Sequence, residues 1–192
     1  MNEFIQNLRD LRMHVVDAYQ SYHREWTRPG FHALVLYRIG RWQRTIRSRI
    51  LGSIIFLILA ALYRLVRNVY GIELPYRVDA GRRLHIGPQG GIVIHPGSVF
   101  GDDCTIKQNV TIGAVTGADF WNEAPKFGSR VEVGPGAVII GRIRIGDDVM
   151  IAPNSLVMVN VPSNSTVTGN PARVIPMKKG AAREDLDRHI AL

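Results

Sequence analysis

The sequence predicts an α+β chain in which a helical segment, ending near residue 70, is followed by a solenoid of short parallel strands. Three observations predict it. Apolar residues recur every three or four positions in the first third, and beyond Pro75 the period changes to six. The excess of positive charge also ends where the period changes. With 192 residues, 46% of them hydrophobic and 21% charged, the chain can bury one sizeable core or two small units, and global disorder is excluded.

In the helical segment, Phe4, Leu8, Leu11 and Val15 place a first helix near 3–22. Pro29-Gly30 breaks the chain, and Phe31, Leu34, Val35, Arg38, Ile39 and Trp42 place a second near 30–46. A third spans about 49–70. Within it the uncharged run Ile50 to Tyr63, ILGSIIFLILAALY, stops at Arg64, short of the ~18–20 residues a membrane span requires. The run is expected to be a buried helix that completes a core or an oligomer interface. Arg47 and Arg49 before it and Arg64 and Arg67 after it support an alternative, peripheral contact with an anionic membrane surface.

Eleven arginines against Glu3, Asp10, Asp17 and Glu25 put seven of the eight net positive charges on this segment. Nucleic acid is excluded as a partner, because no basic groove or known nucleic-acid module accompanies the arginines. The first residues, Asn2, Glu3 and Gln6 among them, lack the basic start and apolar stretch of a secretory signal, and one cysteine, Cys104, makes no internal disulfide. The expected compartment is the cytoplasm, with the inner membrane as the peripheral alternative.

The second segment repeats every six residues. Ile94, Phe100, Ile106 and Ile112 form one register, and Phe127, Val133, Ile139, Ile145, Ile151 and Val157 form another. Small or branched residues follow four positions after most anchors: Ser98, Cys104, Val110, Val131, Ala137, Ile143, Val149 and Ser155. A strict six-residue repeat with two inward positions means three-sided coils that bury their apolar faces against the next coil. Cys104 occupies an inward position and is expected to be a small core residue. The stretch 114–126, AVTGADFWNEAPK, breaks the rhythm and leaves the solenoid as a loop. The domains are therefore helical 1–70, solenoid 71–175 and a tail 176–192.

The repeat, together with the closing Gly169-Asn-Pro-Ala-Arg-Val-Ile175, resembles the left-handed parallel β-helix of hexapeptide-repeat acyltransferases. Within that group Arg28-Pro-Gly-Phe-His-Ala-Leu-Val-Leu-Tyr-Arg-Ile-Gly-Arg-Trp42 and Val69-Tyr-Gly-Ile-Glu-Leu-Pro75 are similar to stretches of the serine acetyltransferases. The resemblance covers about residues 25–178. It implies a homotrimer that binds acetyl-CoA as co-substrate in the groove between neighbouring solenoids, needs no metal, and passes the acetyl group to a hydroxyl. Such a transfer requires a base for the hydroxyl proton, an orienter for that base, and donors for the oxyanion.

The resemblance also exposes losses. Glu73 stands at the acidic orienter's place. The family's Asp-His-x-x-Gly-Ile-Val becomes Gly87-Pro-Gln-Gly-Gly-Ile-Val93, so Pro88 replaces the catalytic base and Gly87 removes a carboxylate for the serine amine. The family's Arg-His-Pro-Lys becomes Glu123-Ala-Pro-Lys126, so Ala124 replaces the second histidine and Glu123 would repel the serine carboxylate. Short serine-acetyltransferase-like proteins of exopolysaccharide synthesis resemble this chain more closely, and they imply a saccharide hydroxyl as acceptor. L-Serine is the alternative acceptor, and a catalytically degenerate trimeric scaffold is the alternative outside enzymes.

His95 directly follows inward Ile94, so it is expected to point outward near a corner and to supply the missing base, with Glu73 or Glu123 assisting. A structural histidine is the competing reading, and His85 is a weaker candidate for the base. On the loop, Trp121 and Asp119 are candidates for holding the acceptor, Trp121 by stacking on a sugar face as Phe120 also could, and Glu123 joins them. For the cofactor the resemblance implies Gly113, Gly134, Pro135 and Pro153 along one solenoid edge, with Arg173 and Lys178 at its phosphates. The prolines lack the amide hydrogens through which such an edge would bind.

Overall fold

A computed structural model describes residues 2–46, 48–87, 90–115 and 123–177. Among them three helices, α1 (Asn2–Ser21), α2 (Pro29–Gln43) and α3 (Arg49–Tyr70), precede fifteen short strands. Proline at the first turn starts α2, where its missing amide hydrogen costs nothing. The Ser48 hydroxyl accepts from the Leu51 amide to open α3, and Gly71, in the left-handed region at φ 66°, closes it.

The strands wind into coils of three. The first comprises β1 (Ile72–Glu73), β2 (Asp79–Ala80) and β3 (His85–Ile86); the second, β4 (Ile92–Ile94), β5 (Val99–Phe100) and β6 (Thr105–Ile106). The third holds β7 (Thr111–Gly113), β8 (Lys126–Phe127) and β9 (Glu132–Val133), and the fourth β10 (Val138–Ile140), β11 (Arg144–Ile145) and β12 (Val149–Ile151). The last contains β13 (Leu156–Val157) and β14 (Ser165–Thr168), on which β15 (Arg173–Pro176) folds back antiparallel. Stacking gives three sheets, β1-β4-β7-β10-β13, β2-β5-β8-β11 and β3-β6-β9-β12-β14-β15, parallel except for the final pair. We call these faces A, B and C.

All ten anchors and all eight secondary positions read from the repeat are buried. Cys104 is one of them, its Sγ 3.2 Å from the Gly128 carbonyl and its pKa pushed up to about 11 by burial, which keeps it an unreactive thiol. Ile94 pairs with Ile112 and Ile139 with Val157 eighteen positions on, whereas Ile112 pairs with Ile139 twenty-seven positions on. The surplus leaves between β7 and β8, where the rhythm breaks.

A solenoid's first coil presents unpaired backbone at its open edge. Here the helices satisfy it. The Tyr22 hydroxyl donates to the Ile86 carbonyl at 2.6 Å and accepts from the Ile86 amide at 3.0 Å. Tyr37 does the same for β2, donating to Val78 at 2.8 Å and accepting from the Ala80 amide at 3.2 Å. Arg38 reaches the Ala80 and Gly81 carbonyls, and ion pairs Arg41–Asp79 and Arg82–Asp17 lie alongside. Gly30 allows this approach: a Cβ there would stand 2.7 Å from both the Gly87 carbonyl oxygen and the Tyr22 hydroxyl.

The third helix departs from expectation. Only Gly52, Leu59 and Val66 are buried along its described length, three residues spaced seven apart that pack on α2. Ile50, Leu57, Leu65 and Val69 are among the most exposed apolar side chains described. The expectation that the run completes the chain's own core is therefore corrected, most of its apolar surface being uncovered in the single chain; burial in an oligomer interface, the other half of that expectation, is not tested by one chain.

Candidate active site

Three corners join the faces, and the candidate residues distribute over two of them. After face A the chain turns at His95-Pro96-Gly97 in the second coil. One coil on, it turns at Gly113 and re-enters at Glu123-Ala124-Pro125. The His95 amide donates to the Ile112 carbonyl at 2.8 Å, which stacks these two turns. This corner gathers His95, Gly113 and Glu123, and the loop carrying Asp119 and Trp121 springs from it. Asp119, Phe120 and Trp121 lie outside the described residues.

After face C the chain turns at Gly134-Pro135-Gly136 and, one coil on, at Ala152-Pro153-Asn154. The Asn154 amide donates to the Pro135 carbonyl at 2.9 Å, so Gly134, Pro135 and Pro153 share one edge. Arg173, exposed, pairs with Thr168 near the C-terminal end of that edge. Gly113 does not belong to it. The single edge expected for the cofactor is corrected to two corners, because Gly113 follows a face A strand and Gly134 a face C strand. Lys178 and Pro88 lie outside the described residues.

Glu73 sits between the corners, half-buried on face A and in register with Val93. Val93 itself faces Thr111 in the next coil, so the outer surface of face A runs from the acid to the corner of His95.

His95 differs from its expectation. It is 7% exposed, not an open surface group, and its Nδ1 accepts a 3.0 Å hydrogen bond from the Gly97 amide. A neutral ring whose Nδ1 accepts carries its proton on Nε2. Burial holds its pKa below the ordinary histidine value. In this state the ring is a hydrogen-bond donor through Nε2 and has no lone pair ready to take a hydroxyl proton. The expectation of an outward-pointing base is corrected on that geometry. A signal was present in the sequence: Pro96-Gly97 after the histidine is turn chemistry, which folds the Gly97 amide back over the ring.

His85 is structural. Its ring stacks on Tyr22 with centroids 4.4 Å apart, and burial, aided by His23 and Arg28, lowers its pKa.

Of the replaced positions, Gly87 is shaped against restoration. A Cβ at Gly87 would stand 3.0 Å from the Lys107 Cα and 3.1 Å from the Gln108 amide nitrogen, so a carboxylate side chain is crowded by backbone. Ala124 is buried, whereas Glu123 keeps a half-buried carboxylate at the corner.

A family model of bacterial transferase hexapeptide (six repeats) matches residues 124–158. Serine acetyltransferase of Helicobacter pylori is 38% identical over 147 residues, 77% of this chain and 81% of that protein. The chain belongs to the serine acetyltransferase family. Its counterpart in Synechococcus elongatus is 35% identical over 159 residues, 83% of this chain and 62% of the relative. Among solved structures, serine acetyltransferase of Brucella abortus superposes with TM-score 0.69 at 27% identity, covering 88% of this chain and 68% of that one. Soybean serine acetyltransferase complexed with serine gives 0.71 at 26%, covering 86% and 69%. The shared fold is the left-handed parallel β-helix, a hand opposite to that of nearly all parallel crossovers.

Proposed function

We propose that the protein is an acetyl-CoA-dependent O-acetyltransferase acting as a homotrimer, and that L-serine is the first acceptor to consider. The observation that carries this reading is the match to serine acetyltransferases over more than three quarters of the chain. The placing of the corners, joined to the family resemblance, supports oligomerisation. The two corners flank face A from opposite edges, and in a trimer a groove lined by both would take the Gly134–Pro153 edge from one copy and the His95–Glu123 corner from its neighbour. His95 then serves as a donor to the carbonyl oxygen that becomes the oxyanion, a role that requires its Nε2, sealed from solvent in the single chain, to be uncovered when the groove takes up substrate.

A second reading is favoured by Glu123 and Ala124. A carboxylate at Glu123 repels a carboxylate-bearing acceptor where the family places an arginine. A neutral polyhydroxyl acceptor, a saccharide, suffers no such repulsion and leaves Glu123 available to accept hydroxyl protons or hydrogen bonds.

Thiol release from acetyl-CoA, followed with L-serine and with a panel of saccharides, tests both. Serine-dependent release supports the first reading, and release with sugars alone supports the second. Intact acetyl-CoA binding with no turnover on any acceptor overturns the enzyme reading and leaves a scaffold. For the donor role, His95→Ala should lower kcat by about 100-fold, the usual scale for one oxyanion donor. His95→Gln, which keeps an N–H donor, should lose much less. Equal losses in the two variants would contradict the donor role.

A further inference from the structure

We propose that α3 docks in the plane of an anionic lipid bilayer, its exposed apolar surface entering the headgroup boundary while Arg44, Arg64 and Arg67 meet lipid phosphates. An α-helix that is apolar around most of its circumference is stable only when something covers it. Here α2 covers the strip of Gly52, Leu59 and Val66, and Ile50, Leu51, Ile54, Leu57, Ile58 and Leu65 remain exposed.

Geometry favours lying over crossing. By length and composition alone the 21 residues Ile50–Tyr70 could cross, but only the run to Tyr63, about 21 Å at the helical rise, is uncharged, so crossing a hydrocarbon core of about 30 Å would carry Arg64 and Arg67 into it. The helix is also pinned along its length. Gln43 Nε2 donates to the Gly52 carbonyl at 2.9 Å, and the Tyr76 hydroxyl donates to the Leu59 carbonyl at 3.1 Å. Threading α3 through a bilayer would pull it from α2 and from the first coil. Resting on the surface breaks none of these contacts.

Charge selects the occupant. No acidic residue lies on α3, and the helical segment carries a net +7 from eleven arginines and four acids. Pairing this face with a second copy would bring two such segments together, whereas an anionic bilayer is complementary. Exposed Arg44 precedes the apolar surface, and exposed Arg64 and Arg67 lie among its last residues, the arrangement of an interfacial helix anchored at both ends. The inference is independent of which acceptor the enzyme uses.

Flotation of the full chain with vesicles tests it. The protein should rise with vesicles of equal phosphatidylglycerol and phosphatidylcholine, and far less with phosphatidylcholine alone. Leu57→Glu with Leu65→Glu, both at exposed sites, should abolish flotation with an unchanged circular dichroism spectrum. Arg64→Glu with Arg67→Glu should weaken it by more than about tenfold, each arginine near the surface being worth on the order of fivefold. Wild-type protein left in the dense fraction, or flotation indifferent to the glutamates, overturns the proposal. So does a lipid-free assembly that the same glutamates dissolve, which would make a second copy the occupant. Bimane on Ile50→Cys, Leu57→Cys and Leu65→Cys, the buried Cys104 being unreactive, should be quenched alike by a shallow nitroxide lipid. Quenching strong at both ends and weak at position 57 would mean that the helix crosses, and overturns the proposal.

Discussion

The helical segment and the solenoid bury apolar surface by opposite routes. In the solenoid each coil is covered by the next, so a residue's burial follows from its place in a six-residue repeat. In the helical segment burial depends on what each helix meets: α2 is packed on both sides by α1 and α3 and rests on the first coil, whereas α3 touches its neighbour along one strip. The difference separates the molecule's tasks. The nearly neutral solenoid holds the candidate chemistry at its corners, and the basic helices close its open edge and present an apolar surface outward.

The joint between the regions is where a single change should do the most damage. Gly30→Val should destabilise by more than about 4 kcal/mol, because the new side chain meets backbone oxygens of β3 and Gly87 that have nowhere to go. Thermal or urea unfolding measures this, and a loss under about 1 kcal/mol would show that α2 does not dock as described. Next comes a direct contrast. Ile139→Ala, inside the solenoid, should cost about 2–5 kcal/mol. Leu57→Ala on exposed α3 should change stability by no more than about 0.5 kcal/mol in the absence of lipid. Comparable losses at the two sites would erase the distinction between the regions.

Tyr37→Phe sharpens the role of the helices as an edge cap. It leaves the Val78 carbonyl and the Ala80 amide without the hydroxyl, and the expected loss is about 1–3 kcal/mol with the β-helix spectrum retained. An unaltered melting curve would mean that water caps the edge as well as tyrosine does.

The smallest effect is on pH dependence. His14, His85 and His95 all have pKa values lowered from 6.5, burial being the largest cause in each. The unfolded chain therefore takes up protons first as pH falls. Their contribution is complete above about pH 6.5 and is lost as pH falls below it toward the depressed values. Urea midpoints at about pH 7.5 and 5.5 should differ, with the lower stability in acid, and His85→Gln should narrow the gap. A midpoint that rises in acid would contradict the assigned environments.

Much of the fold was legible in the sequence because six-residue periodicity is a local rule with a global consequence. Every anchor from Ile94 to Val157 is buried, and the helices start within a few residues of their predicted positions. The second ends early, at Gln43, because Arg44 and Thr45 close on Arg41 and Trp42 in tighter three-residue turns. Less was legible where the repeat says nothing. Apolar composition identified α3 as a helix but not what covers it. The corner histidine was placed one residue after its anchor, yet its burial depends on how Pro96 and Gly97 fold back. Gly113 and Gly134 both follow anchors; they occupy different corners because the face an anchor lies on is set by counting strands across the loop.

The resemblance read from Arg28–Trp42 also acquires a physical meaning. Gly30 admits the backbone of β3, Tyr37 and Arg38 cap β2, and a Cβ at Gly40 would strike the Tyr76 ring. These residues join the helices to the solenoid and take no part in the chemistry proposed for the corners.

The most direct test of the account is acceptor-dependent transfer of a labelled acetyl group from acetyl-CoA by the full chain, compared with its His95→Ala variant. A labelled ester on a hydroxyl acceptor, L-serine or a saccharide, is expected, with a loss of about 100-fold in the variant. Acetyl-CoA binding without transfer to either class of acceptor, or transfer that His95→Ala leaves unchanged, would contradict it.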